Sequence, residues 1–166
     1  TMTINAVSTA AGQGRSIPLG PPGSPVTITI TVSSQTGSES TYTVTVTRLL
    51  SSDNNLSALT VTPGILAPTF TSGTLNYTVD VATGVTSVTV AATKADPNAV
   101  ISGDVPNDGQ ATVQLNGPGT TTQVTITVTA QNANSQTSRI DVERAAPSSD
   151  NNLSALTVTP GILAPT

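Results

Sequence analysis

Four oxygen-bearing side chains give the chain its clearest opening for ligand chemistry. Asp104, Asn107 and Asp108 fall in one turn closed by Gly109, and Asp53 stands beside Asn54 and Asn55. Hard cations such as calcium want about six to eight oxygen ligands. Calcium is therefore the candidate cofactor, with Asp104, Asn107, Asp108 and Asp53 as its candidate ligands. No Glu joins them, and Asp, Asn and Gly are ordinary turn formers as well. Asp104 and Asp108 are also close enough in sequence to act as a carboxylate pair. No third group or activating base accompanies them, so no catalytic residue is assigned and no enzyme is expected.

Lys94 is the only lysine, and hence the only amine available for an internal crosslink to Asn. Its neighbours Thr93, Ala95 and Asp96 read as a solvated strand end. Thr27, Thr29, Thr31 and Thr43, Thr45, Thr47 form Thr-x-Thr rows that could build a flat hydroxyl-and-methyl face. The plainer reading is the polar side of a sheet with few charges. Asn55-Leu-Ser57, Asn76-Tyr-Thr78 and Asn152-Leu-Ser154 match the glycosylation triplet, as chance matches do in so Ser- and Thr-rich a chain. The chain has no His and no Cys, which removes zinc sites, thiol nucleophiles and Ser-His-Asp triads by inventory.

Composition narrows the partners. Charged residues are 8% of the chain, against about 25% in ordinary domains. Net charge is −4, and Arg15, Arg48, Lys94, Arg139 and Arg144 are the only cations. Nucleic acid needs clustered Lys and Arg to displace phosphate counterions, so it is not expected as a partner. No apolar run approaches the roughly 20 residues of a membrane helix, so membrane insertion of this segment is not expected either. Tyr42, Phe70 and Tyr77 are the whole aromatic inventory. Thr and Val dominate instead, and branched side chains suit a pleated surface.

The elements follow from alternation. Val26-Thr-Ile28-Thr-Ile30-Thr-Val32 puts every apolar side chain on one face. Tyr42-Thr-Val44-Thr-Val46 follows a Ser- and Gly-rich turn, Ser33 to Ser40, and reads as the second arm of a hairpin. The pair returns as Val124-Thr-Ile126-Thr-Val128 and Ile140-Asp-Val142. Between residues 50 and 147 the pattern predicts seven strands: about Leu56–Thr62, Leu75–Val81, Ser87–Thr93, Ala99–Ser102, Ala111–Leu115, Gln123–Ala130 and Thr137–Arg144. Pro63-Gly64, Ser72-Gly73, Asp96-Pro97, Pro106 to Gly109 and Gly117-Pro118-Gly119 supply the turns. Short antiparallel strands at this spacing fit a two-sheet sandwich, with a closed barrel as the alternative.

Two internal echoes set the organisation. Ser51 to Thr69, SSDNNLSALTVTPGILAPT, returns unchanged as Ser148 to Thr166, 97 positions on. Val26–Arg48 matches Thr122–Arg144 at an offset of 96 with 8 identities in 23. A period of this kind marks a tandem array. Residues 1–49 then form the C-terminal part of one sandwich, 50–147 a complete one, and 148–166 the start of the next. Residues 1–48 and 148–166 together supply 67 of 97 positions and lack the equivalents of about Phe70 to Asp96. A composite built from them would expose core, so a longer polypeptide is the preferred expectation.

The run Asn55-Leu56-Ser57-Ala58-Leu59-Thr60-Val61-Thr62-Pro63-Gly64-Ile65-Leu66-Ala67-Pro68-Thr69-Phe70, followed by Tyr77-Thr78-Val79, resembles the opening of the cadherin-like β-sandwich domain of bacterial surface proteins. Val124–Ala130 and Arg144 resemble its close, and Tyr42 to Arg48 is the fuller match. Ser138 and Ala133 depart from it where the first copy has Tyr42 and Gly37. The resemblance implies an all-β fold of tandem Ig/cadherin-like seven-stranded antiparallel sandwiches joined end to end. Core positions are expected at Leu56, Leu59, Val61, Leu66, Phe70, Tyr77, Val79, Ile126, Val128, Ile140 and Val142. Leu66 and Phe70 would plug one end of the core, and Phe70→Ala would cost about 3–5 kcal/mol.

The expected function is that of a structural repeat in a long extracellular or cell-surface bacterial protein, forming a stalk, fibre or filament. Its partners would be neighbouring repeats of the same polypeptide or identical subunits. Two alternatives stand beside this one. One is a self-assembling filament subunit completed by strand sharing. The other is a glycan- or partner-binding adhesion module, which would need an exposed aromatic platform.

Overall fold

Every element the structure describes is a strand or a turn, as the alternation and the Thr- and Val-rich composition require. A computed structural model describes residues 1–106 and 109–157. The strands are β1 (Met2–Ile4), β2 (Val7–Ser8), β3 (Pro25–Ser33), β4 (Glu39–Thr47), β5 (Leu56–Thr62), β6 (Asn76–Val81), β7 (Ser87–Lys94), β8 (Val100–Gly103), β9 (Gln110–Gln114), β10 (Thr121–Thr129) and β11 (Ser135–Arg144). They form three sheets, ordered β2-β1-β3-β4, β6-β11-β10-β8 and β5-β7-β9. The second and third close on one another as a sandwich, and the apolar sides of both enclose one core.

That core is lined by the inward positions of alternating strands. Val124, Ile126 and Val128 of β10 and Ile140 and Val142 of β11 are buried. Leu56, Leu59 and Val61 of β5, Val88, Val90 and Ala92 of β7, Tyr77, Val79 and Val81 of β6, and Ala99, Ile101 and Val105 in and around β8 complete it. The uneven spacing of Leu56, Leu59 and Val61 has a local cause. A register shift between Leu56 and Ala58 opposite β7 inserts one extra residue, so inward pointing skips from 56 to 59. Leu66 and Phe70 pack against the core but are only half-buried. Phe70→Ala therefore falls below the fully buried positions in cost, because the transfer term scales with the apolar area removed from water.

One expectation is corrected. β6 and β11 pair in parallel, with Tyr77 opposite Ile140 and Val79 opposite Val142, so the sandwich is not wholly antiparallel. Hairpins impose antiparallel pairing on strands that follow one another. β6 and β11 are the outer members of a long stretch of chain, and no hairpin sets their relative direction. The connection from Pro63 to Leu75 carries the chain from one sheet to the other. Ala67 is tied to Thr78 there by backbone bonds of 2.9 and 2.7 Å.

The β3–β4 and β10–β11 hairpins share their turn geometry. Ser34 N–H donates to the Ser38 carbonyl at 2.8 Å, and Ala130 N–H to that of Asn134 at 2.8 Å. The tip residue has φ +86° at Gly37 and +69° at Ala133. An L-residue with a Cβ resists this left-handed conformation, which glycine adopts freely. Ala133→Gly is therefore expected to stabilise the sandwich by about 0.5–1 kcal/mol, read as a rise in the midpoint of denaturant unfolding. No change, or a fall, would mean the turn carries no backbone strain.

Candidate functional site

The β3–β4 hairpin presents the same apolar face as β10–β11 and leaves it uncovered. Val26, Ile28 and Ile30 stand opposite Val46, Val44 and Tyr42, and β1 adds Met2 and Ile4 opposite Val32 and Ile30. In the sandwich the hairpin counterparts Val124, Ile126, Val128, Ile140 and Val142 are buried. In the N-terminal sheet no residue of β1, β3 or β4 is buried. Val32 is 41% exposed where its counterpart Val128 is 2%, and Val44 is 47% exposed where Ile140 is 0%. Tyr42 is 60% exposed. The outer edge of β4 has no strand partner among the described residues. An apolar face of this kind beside an open edge is what binds another polypeptide.

The segment after the sandwich has the opposite deficiency. Leu153 and Leu156 are 78% and 60% exposed, although they repeat Leu56 and Leu59, which are 4% and 3% exposed. The local turn forms there regardless. Asp150 accepts from Asn152 N–H and Nδ2–H at 2.9 Å each, as Asp53 accepts from Asn55 at 3.0 and 2.8 Å. The joint sequence thus fixes its own turn, whereas the burial of its leucines depends on the sheet that receives them. Residues 158–166 lie outside the described residues.

Of the sequence-derived ligands, Asp104 and Asp53 are described, and each accepts hydrogen bonds from its own surroundings. Asp104 Oδ2 accepts from Thr125 N–H at 2.7 Å and from Thr125 Oγ1 at 2.9 Å, while Asp104 N–H donates back to the Thr125 carbonyl at 2.9 Å. Its carboxylate ties the loop after β8 to β10. Asp53 is committed to the Asn55 turn. Asn107 and Asp108 lie outside the described residues. Among the described residues no three Asp, Glu, His or Cys side chains gather in one place. Lys94 is half-buried and donates through Nζ to the Ala99 carbonyl, so the strand end is less solvated than its neighbours suggest.

Two polar devices were not anticipated from the sequence. The first clamps the segment before β5 onto the sandwich. Ser51 N–H donates to Gln131 Oε1 at 3.2 Å, Asn132 N–H to the Ser51 carbonyl at 3.1 Å, and Gln136 Nε2 to Asn55 Oδ1 at 3.4 Å. The Ser51 hydroxyl, then the Asn98 backbone N–H, hold the Asp96 carboxyl below its ordinary pKa. The second is a clasp at the other end. Arg144 Nε donates to the Thr83 carbonyl at 2.9 Å and Nη1 to that of Asn116 at 3.0 Å. That joins β11 to the β6–β7 and β9–β10 turns. The partners of both devices lie tens of positions away in sequence, so spacing gave no signal of them.

The aromatic inventory gives no platform for a sugar. Tyr77 is buried, Phe70 is half-buried and stacks on it at 6.3 Å between centroids, and Tyr42 stands alone on the open face. A shallow apolar groove lined by Leu59, Gly64, Ile65, Leu66 and Phe70 runs along the plug. No helix among the described residues is long and apolar enough to cross a membrane.

Comparison with known proteins fits this geometry. No curated protein matches the chain. A family model described as the cadherin-like beta sandwich domain matches residues 1–49 and 56–145. Those stretches hold the open sheet and the closed sandwich respectively, and together they span most of the chain. The chain belongs to the cadherin-like beta sandwich domain family.

Proposed function

We propose that the chain is a structural repeat of a long extracellular bacterial surface protein, in which sandwiches of this type follow one another as a stalk, fibre or filament. The observation that carries the reading is the equivalence of the β3–β4 and β10–β11 hairpins, whose strand pairs match one for one. Gly23 N–H donates to the Arg48 carbonyl at 2.7 Å, and Gly119 N–H to that of Arg144 at 2.9 Å. Both pairs are 96 positions apart, as are the two hairpin turns. Repeat arrays gain length without a new core, since each unit leans mainly on its neighbours. The clamp at Ser51 to Asn55 supports a short, stiff joint. The few charges and the absence of Cys and His suit a spacer better than a catalyst.

Intact mass of the protein isolated from its source tests this reading. A species well above 16.6 kDa is expected. One at that mass would sink the array and favour strand sharing between subunits, which the exposed Leu153 and Leu156 would then serve. The proposed spacer needs no bound cation, because Asp104 and Asp53 already spend carboxylate oxygens on Thr125 and Asn55. The unfolding temperature is accordingly expected to be the same with calcium and with excess chelator. A calcium-dependent rise would restore the metal to the proposal.

A further inference from the structure

The first hairpin lacks, by position, what β5, β6 and β7 supply to the second. In the sandwich β11 carries β6 on its outer edge, with Arg139 N–H donating to the Leu75 carbonyl at 2.7 Å and Ala145 N–H to that of Val81 at 2.9 Å. The counterparts of those donors are Thr43 and Leu49, at the two ends of the unpaired β4 edge. A parallel ladder uses every second residue of a strand on one side, which adds Thr45 and Thr47. A second difference lies just before β3. Ala111–Leu115 contains most of β9 and pairs with β7, Val113 opposite Val88 and Ala111 opposite Val90. Its counterpart Arg15–Leu19 is irregular, with Leu19 44% exposed. Both stretches nevertheless run into the same Pro-Gly turn, Pro22-Gly23 and Pro118-Gly119.

We infer that the open face and free edge of the N-terminal sheet form a receptor for a polypeptide segment of the Leu56–Lys94 type. Such a segment adds a strand parallel to β4, with the residue at the Tyr77 position opposite Val44, that at Val79 opposite Val46 and that at Val81 opposite Arg48. The same segment then draws Arg15–Leu19 into a strand on its far side. Pro18 is compatible with this, because the corresponding β9 is an edge strand and an edge tolerates a residue without an N–H. The inference rests on the repeat reading above and deepens it by naming the occupant, the edge and the register.

Backbone pairing decides between this occupant and the exposed tail of a second copy. A Ser148–Thr166 tail repeats β5 and the plug only. In the sandwich β5 pairs with β7 and with neither strand of the opposite hairpin. A lone tail would lay an unpaired backbone across an apolar face, and a buried N–H or C=O without a partner is costly. A Leu56–Lys94 segment brings its own pairing strand and a second strand for the β4 edge.

The test titrates the full chain with a synthetic peptide of the Ser51–Asp96 sequence and follows amide hydrogen exchange. Exchange at Thr43, Thr45, Thr47 and Leu49, and separately at Arg15 to Ile17, is expected to slow by at least about tenfold. A peptide with Val79→Asp is expected to protect neither. A chain carrying a second Ser51–Asp96 ahead of Thr1, which restores the phase of the Asp96–Pro97 junction, is expected to show both protections in cis. Protection of β4 without Arg15 to Ile17 would reduce the receptor to a sticky surface and overturn it. A Ser148–Thr166 peptide doing as well would transfer the site to the tail of a second copy. Absence of protection both in trans and in cis would end the proposal, yet leave the array standing if the native mass is high. A native mass of 16.6 kDa with binding intact would do the reverse.

Discussion

Ile126→Ala should destabilise the sandwich by about 3–4 kcal/mol, whereas Ile30→Ala should cost about 1 kcal/mol or less. The two isoleucines are the same residue at the same place in the same hairpin. Ile126 pairs with Ser138 on β11 and Ile30 with Tyr42 on β4. Their flanking sequence, Thr-Ile-Thr-Val, is identical. They differ in what lies over them. Ile126 is fully buried beneath the β5-β7-β9 sheet, and Ile30 is half-buried with no sheet above it. Truncating Ile126 removes buried methyl and methylene groups and leaves a cavity between two sheets that cannot fully collapse. Truncating Ile30 leaves a dent on an open face, which water or a neighbour refills. Denaturant unfolding of the two variants reads the difference directly. Equal costs would mean that the N-terminal face is covered in solution, and that the full chain already supplies its own occupant.

The same pair shows how far the sequence could be read. Alternation told which side chains of Val26–Val32 and Val124–Val128 share a face, because the pleat has a period of two. Burial is a property of the face that comes to meet them, and two nearly identical strings end in opposite environments. The first strand was legible to its exact length at Leu56–Thr62, and the Leu-x-x-Leu-x-Val spacing already contained the bulge. The parallel partner of β6 was not legible, since side-chain pattern names a face and never a neighbour. Asp104 shows the same limit on the polar side. Its type and turn setting suggested a cation, and gave no sign that its Oδ2 accepts from Thr125, 21 positions on. Ser51 and Arg144 likewise act through carbonyls and amides from remote turns, and such backbone partners leave no trace in residue type.

Tyr77→Ala is expected to be the most damaging single change, at about 4–5 kcal/mol, with Tyr77→Phe costing about 1–2 kcal/mol. Three separate supports meet at this side chain. Its ring is 2% exposed, stacks on Phe70 and contributes one of the largest apolar surfaces in a core otherwise built of valine, leucine, isoleucine and alanine. Its hydroxyl donates toward the carbonyls of Thr71 and Thr74, at 3.0 and 2.8 Å, which holds the turn that delivers the chain to β6. Its backbone sits opposite Ile140 in the parallel pair that joins the two ends of the unit. Phenylalanine keeps the ring and the stacking but removes the hydroxyl donor from the Thr74 carbonyl, while the Thr71 carbonyl keeps the Thr74 N–H at 3.0 Å. Alanine loses all of it and opens a cavity beside Ile140. The two effects separate experimentally: Tyr77→Phe should loosen Thr71 to Leu75 in hydrogen exchange while the β10–β11 amides stay protected, and Tyr77→Ala should lower protection in both. Because Tyr77 and Ile140 touch the same space, the double variant with Ile140→Ala should cost less than the two singles added together. Strict additivity would place them in independent parts of the core and contradict the parallel register on which the open β4 edge is interpreted.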